Sequence, residues 1–306
     1  MTFNKKFRII GFCIAFFSIS IGIVLSQYIF KPKAVIQNDK NNVLYGETLY
    51  PKQIQSVLAK YKTKYNIDVK FAKTKQDFIE ILNNTPLTEK PFAIFQYNEG
   101  HKYGFIFVKY NQTNYCVCID TVPSLSEYVK NGEVYEKDGN WIVHFNGTQT
   151  DYVGIMFGKN LQKAMKGCGS FTIAIIKQLL KNDATYLFEL LRIYEKNKPN
   201  TSNDDKKSIV RGIDFEIVKN TEFAPEIYKY AQNMSLQAEF DEKLVGNKQR
   251  KMNNYRKIFS ANKVNSQGEN KVISTKVFQI TQKYKDAPLK EPANMNAYGN
   301  LLVMNK

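Results

Sequence analysis

A cysteine flanked by glycines, Gly167-Cys168-Gly169, opens a run with helical apolar spacing: Phe171, Ile175 and Leu179 on one side, Ala174 beside them. A helix N-terminus carries partial positive charge and unpaired N–H groups, which lower a thiol's pKa and stabilise a thiolate. The chain has only two histidines. One of them, His101, opens a strand-like segment, YGFIFVKY, and a second apolar segment, YCVCID, ends in Asp120. His101, Asp120 and Cys168 are the members that a thiol–imidazole–carboxylate triad requires. The imidazole makes the thiolate available at neutral pH, and the carboxylate orients the imidazole and stabilises its cation. Gln162, just upstream of Cys168, offers an amide N–H to a developing oxyanion, beside the Cys168 N–H itself. The pattern predicts a nucleophilic cysteine enzyme.

The elements that must hold these groups are legible from periodicity. Pro51 starts a helix with Ile54, Val57, Leu58, Tyr61 and Tyr65 at three- and four-residue steps, and a second helix spans Lys75 to Asn83. Strands are expected at Phe92–Tyr97, Tyr103–Tyr110, Tyr115–Ile119, Trp141–Phe145 and Tyr152–Phe157, separated by Asn/Gly turns. The other histidine, His144, lies inside a strand and reads as a sheet-satisfied residue rather than a base. After the cysteine helix come an amphipathic helix at Tyr186–Lys196, a polar loop from Asn200 to Lys207, and a longer helix from Glu222 to Leu244. A strand-like piece follows at Val272–Ile280. Helices, then strands, then helices predict an α+β fold.

With 44 basic against 28 acidic residues the net charge is +16, which calls for an acidic partner or surface. No zinc-finger spacing or RNA-binding signature is present and the lysines are scattered, so nucleic acid is not the expected partner. The abundance of Asn, Lys and Ile suggests AT-rich coding, which raises lysine independently of function. Four cysteines do not make a disulfide framework in a chain of 306 residues. Cys116 and Cys118 alternate on a strand, share one face and read as small buried hydrophobes, and no metal site is expected.

Lys5, Lys6 and Arg8 precede an uncharged apolar run from Ile9 to Phe30, closed by Lys31-Pro32-Lys33. About 20 residues suffice to cross a bilayer as a helix, and a shorter core within the run fits a secretory signal. The expected organisation is an anchor or signal segment over 1–33 and a linker over 34–48. A catalytic domain over 49–285 follows, its core about 90–183 and its regulatory helices about 184–260. The tail, 286–306, is poorly ordered in this reading.

Three motifs, spread over roughly residues 95 to 240, together resemble the YopJ group of bacterial effector acetyltransferases, which share their core with the ubiquitin-like-protein proteases. Gln162, Cys168, Gly169, Phe171, Thr172, Ile173, Ala174, Ile175, Ile176 and Lys177 match the group's nucleophile motif. Leu190-Leu191-Arg192-Ile193-Tyr194-Glu195-Lys196-Asn197 and Tyr228-Lys229-Tyr230-Ala231-Gln232 resemble two downstream motifs, with Tyr194 and Tyr230 where the group carries His. The order His, acid, Cys also fits, with Asp120 where the group usually carries Glu.

The resemblance implies a cysteine-protease-like core, a central mixed sheet with the nucleophile at a helix N-terminus, plus a helical regulatory portion. It implies a ping-pong acetyltransferase in which Cys168 takes acetyl from acetyl-CoA and passes it to Ser, Thr or Lys of a host signalling protein. It implies His101 as base, Asp120 as its orienter and Gln162 as oxyanion donor. Inositol hexakisphosphate is the implied activator, with Arg192, Lys196 and Lys229 as its contacts, their charge suited to phosphate. The location implied is the host cell, reached as a secreted effector, or a membrane held by the N-terminal helix. Two other readings remain open: a cysteine protease or deubiquitinase of ubiquitin-like proteins, using the same residues, and an inactive membrane-tethered binding protein.

Overall fold

The computed structural model describes residues 49–97, 101–121, 132–158, 161–162, 167–197, 212–213, 215–264 and 270–274, with Lys276, Ile280, Thr281 and Tyr284. The apolar run at 9–30, the linker, the loop at 200–207 and the tail lie outside them. Among the described residues no helix is long and apolar enough to cross a membrane.

Helix α1, Pro51–Tyr65, has proline in its first turn, where a missing N–H costs nothing, and ends at Asn66 in the left-handed conformation. Its stripe Ile54, Val57, Leu58 and Tyr61 is buried, as the spacing predicts. Helix α2, Lys75–Asn84, is fixed by a capping box in which Thr74 Oγ1 accepts from Asp77 N and Asp77 Oδ2 accepts from Thr74 N, each at 3.0 Å.

Seven strands make one mixed sheet: β1 Val69–Ala72, β2 Phe92–Tyr97, β3 Lys102–Tyr110, β4 Thr113–Ile119, β5 Gly132–Lys137, β6 Asn140–Phe145 and β7 Asp151–Phe157. Their spatial order is β1-β2-β3-β4-β7-β6-β5, with β1 parallel to β2, β4 parallel to β7 and the other pairs antiparallel. Strands β1 and β5 are additions to the sequence reading, one at each edge. Alternation along the strands feeds two cores. Phe95, Ile106, Val117 and Ile155 face one side. Ile94, Phe105, Phe107, Phe145, Cys116 and Cys118 face the other, where Phe78 of α2 meets Phe105 and Phe145 at 5.1 Å between ring centroids. The paired cysteines are thus buried on one face, as their alternation implies.

Helix α3, Cys168–Leu180, lies on the first side with every residue buried except Lys177, so it is a central helix rather than a surface one. Helix α4, Thr185–Lys196, packs beside it through Leu187, Leu190, Leu191, Ile193 and Tyr194. After a single turn, α5 Phe215–Val218, the expected long helix at 222–244 is replaced by two short ones, α6 Ala224–Tyr228 and α7 Met234–Ala238. Side chains cause the break. Gln237 Nε2 donates to Ala231 O at 2.8 Å and Lys229 O at 3.1 Å, carbonyls that a continuous helix would use internally. Asn233 then caps α7 by accepting from Ser235 N at 3.2 Å. The ribbon β8 Leu244–Val245 and β9 Arg250–Lys251 leads into α8 Met252–Phe259 and the hairpin of β10 Ser260–Val264 with β11 Asn270–Ser274. The strand expected at 272–280 therefore ends at Ser274, and Lys276, Ile280, Thr281 and Tyr284 are helical.

Candidate active site

Strands β3 and β4 run antiparallel with Gly104 opposite Ile119, so the residue before β3, His101, meets the residue after β4, Asp120. Asp120 is held from the far side as well: its N–H donates to Phe157 O at 3.1 Å, continuing the β4–β7 pairing. The chain then turns at Gly158, φ +113°, where an added Cβ would stand 2.8 Å from Asp120 O. The third member arrives on α3. An added Cβ at Gly104 would stand 2.7 Å from Ile176 Cδ1 and 2.9 Å from Thr172 Cγ2. The bare glycine lets α3 settle on β3 and brings its first residue, Cys168, over His101.

The His101 ring spans the other two. Its Nε2 lies 2.8 Å from Asp120 Oδ1, and a hydrogen bond to Cys168 is the second that its side chain makes. Asp120 is 2% exposed and Cys168 7%. Burial alone would lower the His101 pKa, but the hydrogen bonds to Asp120 and Cys168 outweigh it and raise it to about 10. Burial likewise pushes the Cys168 thiol up, and the hydrogen bond and charge of His101 reverse this, holding it below the ordinary thiol value. These opposite shifts describe a thiolate–imidazolium pair. The first ladder bond of α3 runs from Phe171 N to Gly167 O at 3.0 Å, so the N–H groups of Cys168, Gly169 and Ser170 have no acceptor within the helix.

One consequence is a pH profile. The pair exists from the lowered Cys168 pKa up to about pH 10, where His101 gives up its proton. Alkylation of Cys168 by iodoacetamide is therefore expected to remain fast below the ordinary thiol range. In His101→Ala its inflection is expected to move upward, because burial is then opposed only by the weaker neighbours. Alkylation of the Cys168 peptide, followed by mass spectrometry against pH, checks this.

Gln162 is buried and tied to the residue after the acid. Thr121 Oγ1 donates to Gln162 Oε1 at 2.7 Å, and Gln162 N donates to Thr121 O at 3.2 Å. The dipeptide Asp120-Thr121 thus orients both the imidazole and the amide, and with Oε1 engaged the Nε2 end is the one turned away from Thr121. His144 is held elsewhere: its Nδ1 lies 2.8 Å from Asp151 Oδ1, and Tyr135 OH donates to Asp151 Oδ2 at 2.8 Å.

A cavity of about 840 Å³ opens on the other flank of α3. Lys60 and Lys64 of α1 line it, as do Lys177 of α3 and Lys181 just past its end. Later segments add Lys229, Lys248, Arg250 and Lys276, and no Asp or Glu is among the described lining residues. So dense a positive lining repels itself unless an anion fills it. Of the three residues tied by resemblance to a polyphosphate, Lys229 is here, ion-paired with Glu226 behind it. Arg192 and Lys196 are exposed on α4 and are not among the lining residues. Their helix is turned the other way: Tyr115 OH and Asn111 Nδ2 donate to Glu195 at 2.9 and 3.1 Å, and Tyr194 packs edge-on against Tyr115.

Neither protein-family models nor curated proteins match the chain. Solved structures do. One is described as AvrA delL154 with IP6 and CoA, at 12% identity and TM-score 0.53, covering 81% of this chain and 91% of that one. Another, HopZ1a in complex with IP6 and CoA, has 6% identity and TM-score 0.51 over 78% and 86% of the two chains. The chain has the fold of the YopJ-family effectors. At these identities the likeness speaks for architecture alone.

Within this YopJ-type fold one residue at the site was passed over in the sequence. Lys102, directly after His101, is 3% exposed, with its Cβ and Cγ 3.7 Å from the place a side chain on Gly169 would occupy. A lysine at the head of a strand ordinarily signals a solvent edge, and its only mark was adjacency to the histidine.

Proposed function

We propose that this protein is a cysteine-dependent acetyltransferase that moves acetyl from acetyl-CoA to Ser, Thr or Lys of a host protein and is switched on by inositol hexakisphosphate. The observation that carries the reading is His101 bridging Asp120 and Cys168 at the start of a central helix, in a fold shared with effectors solved with IP6 and CoA. The basic cavity supports the activator, because a compact polyanion offers several phosphates to converging Lys and Arg side chains. Delivery into a host cell follows from the effector reading.

In this mechanism the Cys168 thiolate attacks the acetyl carbonyl carbon. The oxyanion that forms is met by the Cys168 N–H and the Gln162 amide. The bond to the CoA sulfur breaks and protonated His101 gives its proton to that sulfur, releasing CoA as the thiol. Neutral His101 then takes a proton from the acceptor hydroxyl or amine as it attacks the thioester. Collapse returns Cys168 as thiolate and His101 as imidazolium, so atoms and protons balance.

The test is incubation of the protein with labelled acetyl-CoA, with and without inositol hexakisphosphate. Label on the wild type, strengthened by the polyphosphate and lost in Cys168→Ala, is the expected result. No label, together with cleavage of a ubiquitin-like probe, would overturn the reading in favour of a protease.

A further inference from the structure

Strand β5, Gly132–Lys137, is the last strand on its side of the sheet: it pairs with β6, and among the described residues nothing pairs with its other side. Alternate residues of an antiparallel strand aim their N–H and C=O groups away from the partner, so the outer side of β5 offers a row of unpaired donors and acceptors. Soluble proteins blunt such an edge with charge, lysine above all. This chain has 44 basic residues and a net charge of +16, yet the strand and its turn carry Glu133, Glu136 and Asp138 against Lys137. Both glutamates are exposed, and neither has an ion-pair partner among the described residues. Between them stands Tyr135, 38% exposed, its OH donating to Asp151 Oδ2 at 2.8 Å while Asp151 Oδ1 is held at 2.8 Å by His144 Nδ1.

The edge is also aimed. Strand β5 is antiparallel to β6 and β6 to β7, while β7 is parallel to β4, so β5 runs the same way as the two strands that lead into Asp120 and Gly158. Its last residues and the turn at Asp138-Gly139 therefore lie at the active-site end of the sheet. The register row Tyr135, Ile142, Val153, Tyr115 sets Lys137 level with Val117, three residues before Asp120. A chain laid along β5 is four strand spacings from β4, so its end is about 20 Å from Asp120, or about six to seven residues of extended chain.

We infer that the outer edge of β5 is a docking strand for an extended, lysine- or arginine-bearing segment of the acceptor protein. The segment pairs with β5 through main-chain hydrogen bonds, meets Glu133 and Glu136 with its cations and leads the residue to be acetylated toward Cys168. The inference names the acceptor's chemistry for the acetyl-transfer reading and rests on that reading only for the last step. Charge selects the occupant. The net charge of the protein repels a cationic segment, so an acidic edge is where one is drawn in and oriented. A second copy of β5 is disfavoured there, because its glutamates would meet their like.

The test reads fluorescence anisotropy of a labelled ten-residue peptide titrated with the full-length protein. The peptide has lysines three residues apart, the spacing of Glu133 and Glu136, with Thr and Val between. A control peptide of the same sequence has every main-chain nitrogen methylated, which keeps the charge and removes the N–H donors. Binding of the first peptide is expected, weakened about tenfold or more by Glu133→Lys with Glu136→Lys and by methylation. No binding to wild type, equal binding to the double variant, or equal binding of the methylated peptide each overturns the inference. Thermal melting is the fold control; should the double reversal not fold, Glu133→Gln with Glu136→Gln is read in its place, with about threefold weakening expected. Binding needs no acetyl-CoA. A protein that holds the peptide at β5 yet transfers no acetyl would refute the function and leave the docking strand standing. Transfer to the peptide with a KM unmoved by the double reversal would keep the function and sink the docking strand.

Discussion

Asp120→Asn is expected to lower the rate of acetyl-thioester formation on Cys168 by about three to four orders of magnitude, the scale seen when the carboxylate of a nucleophilic triad becomes an amide. The geometry explains why so small a change costs so much. Asp120 is 2% exposed and accepts from His101 Nε2 at 2.8 Å, so its charge acts on the imidazolium without intervening water. An amide keeps the shape but cannot stabilise the cation, and it can present N–H where the carboxylate offered oxygen. The His101 pKa then falls from about 10, and Cys168 loses the partner that takes its proton. Stability follows the same sign. A histidine whose folded pKa exceeds the unfolded 6.5 contributes fully below pH 6.5 and loses that contribution as pH rises through about 10. In Asp120→Asn this loss sets in at lower pH. Single-turnover acylation read by intact mass, beside melting temperatures across pH, measures both. Asp120→Glu keeps the charge, the acid usual in the group it resembles, and is expected to retain far more activity.

The chemistry was legible in the sequence because its members have rare types and fall at element ends. Two histidines leave few choices of base, and apolar strands that stop at Asp120 or start after His101 mark strand ends where side chains can converge. The edge strands were harder to read. Strand β1 is short and only half-buried, and β5, with Glu133, Glu136 and Lys137, carries charge that hides its alternation. The signal for β5 was nonetheless present in Asp138-Gly139, whose positive φ values of 51° and 71° make the tight hairpin to β6. The broken helix at 222–244 escaped notice because long-range acceptors for Gln237, rather than propensity, end it. The cavity was hidden for a simpler reason. Its cations come from residue 60 to residue 276, and only folding shows that they share one space.

That cavity carries the second large prediction. Reversing two of its charges, Lys60→Glu with Lys64→Glu, is expected to weaken inositol hexakisphosphate binding by about two to three orders of magnitude. Four units of charge change at roughly 1 kcal/mol each, the scale of solvent-screened pairs, give that factor at about 1.4 kcal/mol per decade. Both side chains are exposed on α1 and outside its buried stripe, so the fold is expected to survive. Wild-type affinity should fall steeply with salt and that of the double variant less so, since fewer charges remain to be screened. Calorimetric titration at several ionic strengths measures this, and an affinity unmoved by the double reversal would remove the polyanion from this site. The loss should also appear in catalysis, because the cavity wall is bonded to the active site at two points. Gln232, two residues beyond Tyr230, donates its N–H to Leu161 O at 2.8 Å, next to Gln162, and accepts from Ser274 N at 3.2 Å. Thr281, between the cavity residues Ile280 and Tyr284, is hydrogen-bonded to Ser170 in the same turn as Cys168. An anion that draws these segments together stabilises the turn that presents the nucleophile and the segment after β7 that carries the amide. Acetyl transfer by the double variant is therefore expected to lose its stimulation by the polyphosphate, while the alkylation profile of Cys168, set by His101 and its neighbours, stays that of wild type.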